Sequence, residues 1–159
     1  MKNIYLLEAV TESDLQELLK QLIALENQNS TEPINIYFNC RINYHNPMIF
    51  PIINVIESMT TPIVAHAIGN IIDGAFFVFI SCQIRTGYKY AFYTYSKETM
   101  PEYDKKFYED VLKGHTNLDL DNYNSEGYYF IDAVNSKIVT ETLINPVYQE
   151  EIKGIEFTV

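Results

Sequence analysis

Residues 33–39, PINIYFN, and residues 62–82, PIVAHAIGNIIDGAFFVFISC, decide how this chain is read. Pro33–Asn39 and Pro62–Ile68 are short, largely apolar runs that open on a proline, the pattern of buried strands. Each leads into a helix-compatible run, so the pair predicts strands joined by helical connections. The second strand turns through Gly69 into IIDGAFFVFI, which is apolar all round apart from Asp73 and predicts a buried helix over Ile71–Ser81. A strand–glycine–helix junction is where a nucleophile is usually exposed beside backbone N–H groups. Here it carries Asp73.

The flanking segments alternate between helix and strand periods. Ser13 and Gln16 have capping-box spacing, and Leu15, Leu18, Leu19, Leu22 and Ile23 follow at helical intervals. Asn46-Pro47 predicts the start of a second helix with Ile49, Ile52, Ile53, Ile56 and Met59 on its apolar stripe, which places Pro51 in the first turn. GYKYAFYTYS, residues 87–96, alternates with period two and predicts a strand. Pro101–Lys113 predicts a helix with Tyr103, Phe107 and Val111 in line and Gly114 as its stop, and residues 115–127 a polar loop. Residues 128–131, a short helix around Asp132–Lys137 and Ile138–Leu143 complete the core, with Glu156–Val159 as a final edge strand. The fold class expected is α/β: one domain over residues 1–159, built of repeated β-β-α or βαβ units.

Composition limits the partners. A chain of 159 residues that is 47% hydrophobic can bury one sizeable core. A net charge of −10 repels nucleic acid and anionic membrane, so proteins or small molecules are the expected partners. Met1-Lys2-Asn3 leads directly into a strand-like segment, and the apolar stretch Ala75–Ile80 is too short to span a bilayer. Two cysteines, Cys40 and Cys82, suit a reducing compartment, and a cytoplasmic location is expected. Asp119-Leu120-Asp121 with Glu126 misses the calcium-loop spacing, because Tyr123 and Asn124 stand where an oxygen ligand and glycine belong. Neither metal nor cofactor is expected.

Residues 4–39, IYLLEAVTESDLQELLKQLIALENQNSTEPINIYFN, resemble the start of the folded core of the Clp protease proteolytic subunit (ClpP)-like family, serine peptidases of the crotonase-type fold. The likeness continues without a gap from Asn54 through Thr61-Pro62-Ile63 to Gly69. It aligns Asp73 with the serine of the family's G-x-A-A-S-M-G motif. The resemblance implies a ClpP/crotonase-like α/β domain, and the departures from the family pattern imply a degenerate, catalytically incomplete member.

Those departures are specific. A serine peptidase needs a hydroxyl nucleophile, a histidine base, an acid that orients it and N–H donors for the oxyanion. Asp73 is a poor acyl-transfer nucleophile. It is read either as a plug that caps the buried helix, with Arg41 paired to it or left solvated, or as an acid–base group. Where the family has N-S-P-G-G, this chain has Asn39-Cys40-Arg41-Ile42-Asn43, a degenerate oxyanion loop lacking the glycine pair. No histidine occurs between Tyr88 and Lys113, where the family carries its base; His66 reads as a core histidine, and His115-Thr116 resembles a structural H-T pair. Glu126 is the candidate for the acid. A Cys40–His45 pair is the other nucleophilic option, against which stands the usual inertness of buried cysteine.

The family's handle, which interlocks two rings, is shortened here to a segment with room for one helix of about 20 Å between Lys97 and Gly114. Thirteen tyrosines, clustered in part at residues 88–95, offer contact area. One face of that strand, Tyr88 and Tyr90 or Lys89, Tyr93 and Tyr95, is expected in the core and the other on a contact surface. The functional expectation is an inactive ClpP-like homologue that forms homo-oligomers or joins a related ClpP-like subunit. The alternatives are a non-peptidase enzyme using Asp73 or Glu126, and an active peptidase with relocated residues.

Overall fold

The computed structural model describes residues 2–141. Strands β1 (Lys2–Ala9), β2 (Ile34–Ile42), β3 (Ile63–Asp73) and β4 (Ile84–Gly87) lie side by side in that order and pair in parallel. Helices α1 (Glu12–Asn27), α2 (Ile49–Ser58) and α3 (Gly74–Ser81) follow the first three strands. Strand β5 (Phe92–Thr94) pairs with the second half of β3, beyond the stretch that β4 occupies. A single 3-10 turn (Glu102–Asp104), α4 (Lys105–His115) and the short α5 (Phe130–Asn135) complete the described chain.

Periodicity explains the layering. Ile4 and Leu6 of β1 are buried while Tyr5 and Leu7 are exposed, and Leu15, Leu18 and Leu22 form the buried stripe of α1. Helix α3 is buried throughout; it packs on β2 and β3 and is flanked by α2 and α4, while α1 packs on α2. Across the middle of the sheet, the rings of Tyr5, Tyr37 and His66 stack at 5.1 and 4.6 Å in successive strands.

Several boundaries differ from expectation. The capping box of α1 uses Thr11 and Asp14, whose mutual bonds are 2.9 and 3.2 Å, because Ser13 already lies inside the helix. Helix α2 starts at Ile49: the Asn46 carboxamide accepts the Met48 N–H at 3.0 Å and turns the chain first, and Pro51 keeps its place in the first turn. Gly69 does not turn the chain, and β3 runs on to Asp73. At the register shift opposite Phe38–Cys40, Asn39 Oδ1 accepts the Asn70 N–H at 2.9 Å; a Cβ on Gly69 would stand 2.3 Å from that oxygen. Gly69 therefore serves a bulge rather than a corner.

Residues 87–96 are not one strand. Ala91 N donates to Tyr88 O at 3.0 Å and closes a turn that separates β4 from β5. Helix α4 runs through Gly114 to His115 and buries Tyr108, Val111 and Leu112, leaving Tyr103 exposed. Tyr128 forms an antiparallel bridge with Tyr93, α5 begins at Phe130, and Ile138 and Val139 are buried. The end of the Ile138–Leu143 segment and the edge strand at Glu156–Val159 lie outside the described residues.

Candidate functional site

Asp73 ends β3 at φ 56° and ψ −120°, a conformation that strains any residue with a Cβ and belongs to sharp strand-to-helix turns. Gly74 permits the junction, since a Cβ there would stand 2.8 Å from Ile42 O and 2.6 Å from Ile49 Cδ1. An N-cap needs extended backbone angles to bring its side chain over the first helical N–H groups. Asp73 lacks them, and its carboxylate makes no capping bond to α3, contrary to the cap expected from sequence.

The carboxylate is held from elsewhere. Ser96, just after β5, donates its backbone N–H to Asp73 Oδ1 at 2.8 Å, and Arg41 Nη2 lies 3.3 Å from Asp73 Oδ2. The Asp73 side chain is 5% exposed and that of Arg41 64%, so the guanidinium lies over the carboxylate from the solvent side. Of the two expectations for Arg41, the paired one is observed.

Beneath this group is an aromatic cluster. Burial, and then the Asp73 charge, pushes the Tyr44 phenol far up from its ordinary range. The Tyr44 ring meets Tyr108 at 5.3 Å, and Phe77 meets Tyr108 at 4.5 Å and Tyr95 at 5.3 Å. A cavity of about 190 Å³ lined by Tyr44, His45, Asn46, Pro47, Phe50, Tyr103 and Asp104 reaches this cluster from outside, but Asp73 is not among its walls.

Asn39, Cys40, Arg41 and Ile42 do not form a loop; they are the end of β2, and only Asn43 lies beyond it. Cys40–Ile42 pair with Ile71–Asp73, and Cys40 and Arg41 also pair with Glu8 and Ala9. A segment laddered on both sides spends its backbone groups on the sheet. Burial pushes the Cys40 thiol up to about 12, while His45 is exposed and its backbone N–H donates to Asn43 Oδ1. The first is the opposite of what a thiolate nucleophile needs.

The other two histidines have side-chain partners. His66 is buried, with Nδ1 2.7 Å from Thr86 Oγ1 and Nε2 2.8 Å from Asn35 Oδ1; burial lowers its pKa to about 4. His115 Nε2 lies 2.7 Å from Glu57 Oε2, and Thr116 Oγ1 donates to Leu112 O at 2.7 Å. Glu126 is exposed on the loop before Tyr128, where its N–H donates to Asn124 Oδ1; the hydrogen bond and ion pair made by Asp73 come from Ser96 and Arg41.

Of the two expected faces, the one holding Tyr93 and Tyr95 is in the core, but Lys89 is exposed with Tyr90, which is 81% exposed, and Tyr88 is half-buried, because the intervening turn breaks the alternation. Sequence reasoning missed Tyr44 and Ser96. For Tyr44 the signal was present: Phe38, Cys40, Ile42 and Tyr44 continue one buried period-two series.

Among the described residues, no group of three or more His, Cys, Asp or Glu side chains is placed to hold a metal ion, and no helix is long and apolar enough to cross a membrane. No protein-family model matches the sequence, and no curated protein matches it. Solved structures do match the fold. A ClpP1 point mutant from Listeria monocytogenes superposes with a TM-score of 0.74 at 16% identity, over 92% of this chain and 93% of its own. A peptidase from Plasmodium falciparum gives 0.73 at 18% identity over 86% and 92%, and a structure described only as an enzyme gives 0.72 at 18% over 86% and 91%. The chain has the ClpP-like, crotonase-type α/β fold.

Proposed function

We propose that this chain is a ClpP-like domain without peptidase chemistry, which works as a protein-binding subunit by associating with itself or with a related ClpP-like subunit. The observation that carries the reading is the occupancy of the strand–helix junction. Its residue is a buried carboxylate engaged by Ser96 and Arg41, while the ring nitrogens of His66 and His115 bond elsewhere. Acyl transfer needs a nucleophile with a base in hydrogen-bond reach. The laddered segment Cys40–Ile42 likewise offers no paired glycines from which to build an oxyanion site.

With the chemistry gone, surfaces are what the fold retains. Helix α4 packs against α3 and buries Tyr108, Val111 and Leu112, which supports the reading that this segment adds to the domain's own core. The test has two arms. Purified protein is assayed with unstructured casein, fluorogenic peptides and a serine-directed phosphonate, where no turnover and no labelling are expected. Affinity capture of the full chain with a co-expressed ClpP-like subunit, alongside light scattering of the chain alone, is expected to give a defined homo- or hetero-oligomer. Turnover, or failure to form either oligomer, overturns the reading.

A further inference from the structure

Strand β1 is the edge of the sheet: Lys2–Ala9 pairs with β2 on one side and with no strand among the described residues on the other. Edge strands are commonly blunted by short length, bulges or central charges. This one runs for eight residues, carries its charges only at Lys2 and Glu8, and exposes Tyr5 (59%) and Leu7 (50%). Between this side of β1 and α1 lies an open groove of about 310 Å³, walled by Ile4, Leu6, Val10 and Leu18, with Asp14 and Glu17 also lining it.

We propose that this edge pairs with β1 of a second copy of the chain, antiparallel about a two-fold axis through Tyr5. The inference rests on the reading of an associating domain and names its surface and its partner. Lys2–Glu8 is self-complementary about its midpoint. Antiparallel pairing centred on Tyr5 sets Lys2 opposite Glu8 of the second copy, Asn3 opposite Leu7, Ile4 opposite Leu6 and Tyr5 opposite itself, so each end gains an opposite-charge pair. A two-fold contact requires this kind of self-complementarity, whereas an unrelated peptide would have to reproduce the same order of charges.

Glu8 has φ 63°, a turn of the backbone near the end of β1, and Glu8 and Ala9 still pair with Cys40 and Arg41 of β2. Two-fold symmetry also runs the two α1 helices antiparallel, which places their acidic starts, Glu12 and Asp14, at opposite ends of the interface. The chain as a whole carries −10, but Lys2 and Glu8 cancel, so the joining edge itself is neutral.

A charge-reversal cycle reads the register by light scattering. Lys2→Glu and Glu8→Lys alone each place like charges at both ends and should raise the dimer dissociation constant about tenfold or more. An equimolar mixture of the two variants restores both pairs and should return the constant close to wild type. Independently, Tyr5→Cys should form a disulfide-linked dimer under mild oxidation, and Leu7→Cys, which faces Asn3 of the second copy, should not. Cys40 and Cys82 are buried and leave this readout clean. All four positions are exposed or at the strand's outer end, and unchanged far-ultraviolet circular dichroism verifies folding of each variant. A dimer indifferent to both reversals, or one that cross-links at Leu7→Cys as readily as at Tyr5→Cys, overturns the β1 pairing while leaving the association reading standing. A wild-type chain that stays monomeric and captures no subunit overturns both.

Discussion

The Ser96 backbone N–H donates to Asp73 Oδ1 at 2.8 Å, and this bond ties the junction between β3 and α3 to the chain leaving β5. Arg41 adds the end of β2 from the solvent side. One carboxylate thus joins three segments at the junction between β3 and α3.

Asp73→Ala should destabilise the domain by about 1–3 kcal/mol, because it leaves a part-buried N–H without its acceptor. Asp73→Asn keeps an acceptor for Ser96 and should cost less. Asp73→Gly loses the same bond as alanine but relieves the positive φ, and should be roughly 1 kcal/mol more stable than Asp73→Ala. Urea denaturation measures all three; an alanine variant as stable as wild type would remove Asp73 from its structural role.

Asp73→Ser should remain inactive. The substitution supplies a hydroxyl, yet the buried His66 is held by Thr86 and Asn35 and His115 is held by Glu57. Neither wild type nor this variant should react with a serine-directed phosphonate. Hydrolysis above blank that disappears in Asp73→Ala or Cys40→Ala would sink the expectation.

Stability should fall in mild acid through His66. Its pKa is about 4 when folded against 6.5 in the unfolded chain, so the unfolded state binds more protons between those values. The contribution of His66 is complete above about pH 6.5 and is lost as pH falls toward 4, up to roughly 3 kcal/mol. Denaturation midpoints measured at pH 7.5 and 4.5 should show the loss, and His66→Gln should flatten the slope in that window. A separate slope belongs to Glu26, whose four bonds from Thr60 and Thr61 lower its pKa from 4.5 to about 2. Its stabilisation is present above 4.5 and is lost below that, and Glu26→Gln should remove it.

Arg85 is predicted to be intolerant even of lysine. Its buried guanidinium donates to the carbonyls of Ile80, Cys82, His115, Lys137 and Ile138, at 2.6–2.8 Å, and so joins the ends of α3 and α4 to the segment after α5. Burial lowers its pKa to about 10, so it remains charged at neutral pH. Lysine has one nitrogen and cannot reproduce the fork. Arg85→Lys and Arg85→Met should each cost about 3 kcal/mol or more, since they strand several buried carbonyls. Thermal unfolding that matches wild type for either would contradict this.

By itself the sequence determined the class of fold, the order of β1 to β3 and α1 to α3, the burial of α3 and the occupied state of His66. All of these follow from local periodicity, or from the type of residue at one position, which the chain carries without reference to distant neighbours. Tertiary structure alone decided that β3 continues past Gly69, because that depends on Asn39 filling the space a Cβ would need. It also decided that residues 87–96 hold the end of β4, a turn and β5 instead of one strand, since β3 offers separate pairing sites to β4 and β5. The partners of Asp73 and Arg85 were equally out of reach. Ser96 and the carbonyls around Arg85 enter through backbone atoms that every residue possesses, so no residue type marks them, and only the register of distant segments brings them to their side chains.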